Sequence, residues 1–360
     1  MKITGYIQTT APIHITDSTE GNATGIATMP IPDHQTGRTS RIPGIKGTVL
    51  RGMLRKTASD IANEEMLRHG VRVPMEVFNA LRHGSTSGRM TKEPMRASAF
   101  DVMRGHPIMG LFGGGPRSST GLLVTPWMLP LCKETIDAAM VPADDRIENP
   151  MAGFQLVAED TMYPRLDIVH KAEAIFEEVI EDFDAKSDEI IAADVGRRTG
   201  KTSGEETEST LRGSNLLTYR YMVPNVLLHL NLSVAKSAPD HVKGFLLIVM
   251  AQAFNANRIG GMQRIGMGEN AFNLASVAAN VKLDGERLFD WDGHDLTIAE
   301  GGEAARLADA FDVWHQDGKA WTSEALWEAT GFTGIDLGTA AVKKAKAAPK
   351  KAGKAPAKAA

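Results

Sequence analysis

The stretch Ile42-Pro43-Gly44-Ile45-Lys46-Gly47-Thr48-Val49-Leu50-Arg51-Gly52-Met53-Leu54-Arg55 constrains this chain more than any other. Pro43 fixes the direction of approach, and Gly44 and Gly47 let the main chain come close to whatever lies opposite. Behind them Leu50, Leu54, Thr57/Ala58 and Ile61 recur at helical spacing, which predicts an amphipathic helix over about 47–68. Its charges run against the helix dipole. Lys46, Arg51, Arg55 and Lys56 crowd the first half and Asp60, Glu64 and Glu65 the second, whereas cations are favoured at a C-terminus. An anion docked at the N-terminal end, where free N–H groups and cations converge, would relieve that order. A solvated surface helix is the other reading.

The 360 residues suffice for one elaborated domain or two. No apolar run of about 18 residues and no basic-plus-apolar leader is present, so neither membrane insertion nor secretion is expected. Cys132 is the single cysteine, which excludes an internal disulfide framework and a cysteine-based zinc site and fits a cytoplasmic location. The formal net charge is −4. Seven lysines fall in the last stretch (Lys343, Lys344, Lys346, Lys350, Lys351, Lys354, Lys358) with no acid among them, so without them the body carries about −11. A polyanion must therefore meet a local groove and not a general field.

Along the chain, residues 2–9 alternate as a strand with one buried face. Residues 16–41, rich in Gly, Thr, Pro and Asp, read as a long loop. Residues 71–108 read as an inserted subdomain, with Arg82, His83, Arg89, Lys92 and Arg96 among Gly and Ser. The segment 109–169 opens on the glycine loop Met109–Ser119, read either as a hairpin turn or as amides of Gly113 and Gly114 and the side chain of Arg117 touching a ligand. Gly121–Leu131 is strand-like. Residues 170–194 form an acidic amphipathic helix.

That helix ends at Gly196-Arg197-Arg198-Thr199-Gly200-Lys201-Thr202, which imitates a phosphate-binding P-loop. The P-loop needs four residues between its first glycine and Gly-Lys-Thr, and here there are three; the flanking helix and polar segment are also wrong. A flexible basic tip within 170–214, or a plain disordered loop, fits better. Strands resume over 215–235. Asp240 is placed as the N-cap of a buried helix through Phe245–Phe254. A glycine-rich loop, Asn257–Gly268, then precedes a strand expected around Phe272–Leu283. Its main chain could approach a phosphate or ribose, with Arg258 and Arg264 supplying charge. Residues 286–338 read as a small helical appendage, and 339–360 as a disordered Lys/Ala tail.

Strand, helix, inserted strands, helix, glycine loop and strand read as an α+β fold on the ferredoxin-like (RRM-like) β-α-β-β-α-β plan, in halves 1–70 and 215–285. With 6% aromatic residues, tracking of a sugar-phosphate chain is favoured over base stacking.

The order Thr10-Ala11-Pro12-Ile13-His14-Ile15, Thr36-Gly37, Ile42-Pro43-Gly44, with the Leu111-Phe112-Gly113 and 257–268 loops, resembles the RAMP superfamily of CRISPR effector proteins. Within it the chain looks like the backbone subunit that polymerises along guide RNA, over roughly residues 1–130 and 215–285. The resemblance implies a core with web/finger and thumb insertions, the thumb at 170–214. It also implies an RNA-binding set: His14, Arg41, Gly44, Lys46, Arg51, Arg55, Gly113, Gly114, Arg117, Arg197, Arg198, Lys201, Arg258, Gly260, Gly261, Met262, Gln263 and Arg264. The partners implied are guide RNA, further copies of the chain in a helical row, other effector subunits, and target nucleic acid through the guide. No cofactor, metal or membrane is implied.

In related type III backbone subunits an aspartate before a Pro-Val/Ile segment cuts target RNA. Thr28 stands at that place in Gly25–Ile31, and Asp33 five residues on is the alternative. No helical histidine pair at metal spacing and no nucleophile elbow is present. The long acidic insertion, the missing aspartate and the Thr10–Ile15 strand together make the type IV branch, with a non-catalytic backbone subunit, the expectation. A metal-dependent endoribonuclease and a free-standing single-stranded RNA-binding protein are the alternatives.

Overall fold

The first strand, β1 (Lys2–Gln8), becomes the centre of the main sheet because both its edges are paired. Ile3 and Ile7 point into the core while Lys2, Thr4, Tyr6 and Gln8 face outward, the period-2 alternation of a half-buried strand. The structure, a computed structural model, describes residues 1–20, 23–33, 36–84, 96–144, 147–162, 217–263, 266–316, 318–333 and 335. The acidic helix and basic tip expected within 170–214, and the tail, lie outside these residues.

The stretch 16–41 is not a long loop. It holds β2 (Thr16–Glu20), β3 (Ala23–Ile26), β4 (Thr28–Pro32) and most of β5 (Thr39–Pro43), with β4 and β5 paired in a hairpin. Helix α1 then runs over Gly47–Arg68, the span its periodicity predicts, burying Leu50, Leu54, Ala58 and Ile61. Next come α2 (Met75–His83), α3 (Ala97–Gly105) and α4 (Pro107–Phe112). Two-residue strands follow, β6 (Gly113–Gly114), β7 (Ser119–Thr120), β8 (Leu123–Val124) and β9 (Leu129–Pro130), and then α5 (Lys133–Asp137). A 3-10 turn, Gly153–Leu156, leads into β10 (Val157–Met162).

Past the undescribed stretch lie β11 (Leu217–Met222), β12 (Leu227–Val234) and the apolar α6 (Asp240–Ala256). The cap of α6 is Pro239. Asp240 is the first helical residue instead, its carboxylate held by Lys243 at 3.0 Å and Arg306 at 2.8 Å. The strand expected over 272–283 is mostly a helix, α7 (Leu274–Asn280), begun by Asn273, whose side chain accepts from the Ser276 amide at 3.1 Å. Then follow β13 (Lys282–Leu283), β14 (Glu286–Arg287), β15 (Phe289–Trp291), β16 (Leu296–Ile298), α8 (Gly302–Gln316) and α9 (Ser323–Ala329).

The described residues thus form a mixed α+β fold with predominantly antiparallel sheets and nine helices. The main sheet runs β14-β13-β1-β12-β8, with β9 also on β12, and all its pairings are antiparallel. A second sheet runs β10-β11-β3-β2. Helices α1 and α6 pack together, and α8 lies along α6. The approach there is close enough that a Cβ on Gly244 would sit 1.8 Å from the Leu307 carbonyl oxygen. Among the described residues no helix is long and apolar enough to cross a membrane.

The appendage is fastened through histidines and tryptophans. His241 stacks on Trp314 at 5.0 Å, and Trp321, fully buried, donates its indole N–H to His315 Nδ1 at 3.0 Å. His106 is buried edge-on to Trp314 and Trp321, its Nε2 without a hydrogen-bond partner. Burial, and secondarily the neighbouring His241, push its pKa down to about 3. Glu328 is the acid lining the adjoining pocket. A histidine held neutral when folded takes up a proton only on unfolding once the pH drops below about 6.5. Its contribution is therefore present above that pH and is lost as pH falls toward 3. Between pH 7 and 5 this site is expected to remove about 2 kcal/mol of stability. Denaturant melts at the two pH values measure it, and His106→Gln is expected to flatten the difference.

Candidate nucleic-acid interface

Helix α1 has three working faces. Leu50, Leu54, Ala58 and Ile61 enter the core. Arg51 and Arg55, one turn apart, face α4 and α2. Val49, Gly52, Met53, Lys56, Thr57 and Asp60 line a groove of about 580 Å³ whose opposite wall is the end of α6 and the loop from Arg258 to Gln263, with Ile15 and Thr16 between. Spacings of 3, 4 and 7 place these positions of α1 on one stripe.

The glycine loop is docked by its main chain. Gly261 N donates to His14 O at 2.9 Å, Gly268 N to Pro12 O at 2.8 Å, and Ile259 N to Gly268 O at 2.9 Å. Gly260, at φ +82, lies so close to the 14–15 segment that a Cβ would sit 2.5 Å from His14 O. Met262 adopts φ +60, uncommon for a residue with a side chain. Gln263 donates to Gly260 O at 3.1 Å. Gly52 has nothing within 4 Å of where a Cβ would stand, and Gly261 only the His14 side chain and carbonyl, at 3.8–4.0 Å. Main chain is thus open to the groove from both walls.

Two cations line it, and a third stands outside it. Lys56 is exposed on the α1 wall. Arg258 pairs with Glu269 at 3.0 Å, both solvent-facing. Lys46 pairs with Asp17 beyond the Thr16 end and stands 6.0 Å from the Trp127 ring centroid. Such exposed pairs are weak and exchange readily for another anion.

The other proposed residues go elsewhere. Arg55 is 8% exposed and donates to the carbonyls of Leu81 at 2.8 Å, Gly113 at 3.0 Å, Phe112 at 3.4 Å, and Ala80. Burial first, and then Arg51, lower its pKa to about 10, so at neutral pH a buried cation is held by carbonyl oxygens. Arg51, half-buried, donates to the Phe112 carbonyl. These two are structural clamps on the ends of α2 and α4.

At the N-terminal turn of α1, Gly47 is buried, a Cβ on it would lie 1.7 Å from the Thr125 carbonyl oxygen, and the Val49 and Leu50 amides donate to Lys46 O at 2.9 and 3.2 Å. Gly44 is likewise covered by Trp127 and Met128. Gly113 and Gly114 form the tight β6–β7 pairing, backed by Gly84. Arg117 donates to the Gly331 carbonyl beyond α9. The hairpin reading of 109–119 is the one the geometry favours.

His14 is buried. Its Nδ1 lies 2.7 Å from the Arg220 carbonyl and its Nε2 3.0 Å from Thr16 Oγ1, so it ties the groove floor to β11. Arg41 is exposed on β5, 3.5 Å from Thr28 Oγ1, away from the groove-lining residues. Asp33 closes the β4–β5 turn by accepting from Thr36 Oγ1 at 2.6 Å. Arg197, Arg198, Lys201 and Arg264 lie outside the described residues. Among the described residues no group of three or more His, Cys, Asp or Glu is arranged to hold a metal ion.

The structure therefore brings Arg258, Gly260, Gly261 and Gln263 together with Gly52 and Lys56, which the motif comparison passed over. Their signal was a glycine inside a helix with a lysine one turn later, on the stripe that is neither core nor arginine.

No family model and no curated protein matches the chain. Among solved structures it is similar to a chain of one described as a Type IV-B CRISPR Complex, at 15% identity and a TM-score of 0.44, covering 75% of this chain and 88% of that one.

Proposed function

We propose that this chain is a non-catalytic subunit of a type IV CRISPR effector ribonucleoprotein that coats guide RNA, several copies in a row, each gripping the sugar-phosphate chain without regard to base. The groove between α1 and the 258–263 loop carries the reading. Its main chain is uncovered at Gly52 and Gly261, the Gln263 and Thr57 side chains line it while bonded to Gly260 O and Met53 O, and the cations Lys56 and Arg258 stand on opposite walls. Contacts of that kind fix register on a strand and carry no sequence information. The underlying plan is ferredoxin-like. The strand order β13-β1-β12-β8/β9, with α1 following the first strand and α6 the third, supports that plan. The motif order of residues 10–55 supports the family.

Purification from its cells, followed by sequencing of bound small RNA, tests the proposal; recovery of one class of guides is the expected result. Arg258→Ala is expected to weaken binding evenly across unrelated sequences and to lower the slope of log affinity against log salt by about one. Affinity lost for only some sequences would contradict it. Regularly spaced cuts in a labelled complementary RNA, abolished by Asp33→Ala, would make the protein a nuclease instead.

A further inference from the structure

Asp60 is out of place in a groove that passes phosphates. It stands one turn beyond Lys56 on the stripe of α1 that forms one wall, where an unbalanced carboxylate would repel the strand. Its charge is balanced from outside. Arg82, in the last turn of α2, donates to Asp60 Oδ1 at 2.8 Å and does not line the groove. The Asp60 side chain is 49% exposed, and its Oδ2 takes no hydrogen bond from any described residue. An exposed pair of this kind adds little to stability. What it does create is an open acceptor with little net charge.

Two further acceptors line the same space. Thr57, on the α1 wall, donates its hydroxyl proton to Met53 O at 3.3 Å, which leaves the oxygen's lone pairs. Gln263, on the facing wall, donates to Gly260 O at 3.1 Å, and its Oε1 accepts from no described residue. Phosphate oxygens only accept, so none of these three groups is explained by a phosphate. The 2′-hydroxyl of ribose is a donor that an RNA strand carries at every nucleotide and a DNA strand lacks.

We propose that Asp60, its charge offset by Arg82, accepts a hydrogen bond from a ribose 2′-hydroxyl, with Gln263 as the acceptor on the facing wall, and so makes the groove select RNA over DNA of the same sequence. Residues four apart on a helix have Cβ atoms about 5–6 Å apart, which lets Lys56 hold a phosphate while Asp60 meets the neighbouring sugar. Base amino groups also donate, but they differ from base to base, and a groove that read them would show a sequence preference. The inference rests on the coating function and names the residue that tells its sugar from deoxyribose.

Binding of the full chain to short RNA, DNA and 2′-fluoro RNA strands, each in two unrelated sequences, tests it. The 2′-fluoro strand keeps an RNA-like sugar pucker and has no hydroxyl to donate. Wild type is expected to prefer RNA to both other strands by about tenfold, in both sequences. Asp60→Ala is expected to lose that preference through weaker RNA binding, while DNA binds at least as well because a negative charge has gone. Arg82→Ala breaks the same ion pair and keeps the carboxylate, so it is expected to weaken all three strands and preserve the preference. Equal affinity of wild type for RNA and 2′-fluoro RNA overturns the proposal, as does a preference confined to one sequence. So does a preference that survives Asp60→Ala, or one that Arg82→Ala abolishes in the same way. Wild type that binds RNA and DNA equally removes the 2′-hydroxyl contact and leaves the coating function standing; wild type that binds no strand removes both.

Discussion

Arg55→Ala is expected to destabilise the protein by about 3–5 kcal/mol, a large share of the 5–15 kcal/mol that holds a typical domain folded. The last carbonyls of a helix have no partner within it, and here those of α2 (Ala80 and Leu81) and of α4 (Phe112, with Gly113 beyond it) converge on one guanidinium. All four residues are buried, so water cannot replace the lost donors. Ala80 O keeps the Gly84 amide at 3.1 Å and Phe112 O keeps Arg51, while the Leu81 and Gly113 carbonyls lose their guanidinium donor, and each buried acceptor left unmet costs about 1–3 kcal/mol. A planar fork with five N–H groups reaches two helix ends at once. A lysine head does not, and Arg55→Lys is expected to recover little. Arg51→Ala, removing a half-buried donor to one shared carbonyl, should cost only about 1 kcal/mol. Urea titrations compare the three variants, with an unchanged slope marking a true stability effect. Binding per folded molecule should be preserved in Arg51→Ala. A loss there without a change in midpoint would return the arginines to the ligand.

That reversal shows what the sequence could tell. Helix α1 was legible to the residue because its apolar stripe is regular, and β1 and β12 because alternation is unbroken where one face meets the core. The strands within 16–41 were hidden. In β4, Thr-Met-Pro-Ile-Pro, only Ile31 is buried and two prolines interrupt the pattern. In α7 the run Leu-Ala-Ser-Val-Ala-Ala-Asn fits either helix or strand by periodicity, and the Asn273 cap decides it. Residue type alone did not place the arginines. An arginine suits a phosphate and a helix-terminal carbonyl equally, and which one it meets depends on whether the neighbouring helix ends arrive first. The loop at 258–263 was readable because so many small residues exceed what a connection needs, and it does line the groove.

Gly52 offers the sharpest test of the groove, because there stability and binding are expected to move in opposite directions. Glycine inside a helix costs about 1 kcal/mol relative to alanine. Nothing stands within 4 Å of the position a Cβ would take, so packing does not demand it. Gly52→Ala should therefore stabilise the protein by about 0.5–1 kcal/mol. Gly52→Glu should also be at least as stable as wild type, since glutamate is a good helix former and its carboxylate would pair with Lys56 one turn later. In the groove that same carboxylate neutralises the lysine and sets a negative charge where a phosphate is proposed to pass. RNA affinity is expected to fall by about tenfold to a hundredfold, evenly across sequences, and most steeply at low salt. Loss of fold cannot explain a weaker binder that melts higher. Unchanged affinity in Gly52→Glu would remove the strand from this groove, because no ligand lying between α1 and the 258–263 loop could avoid the new charge.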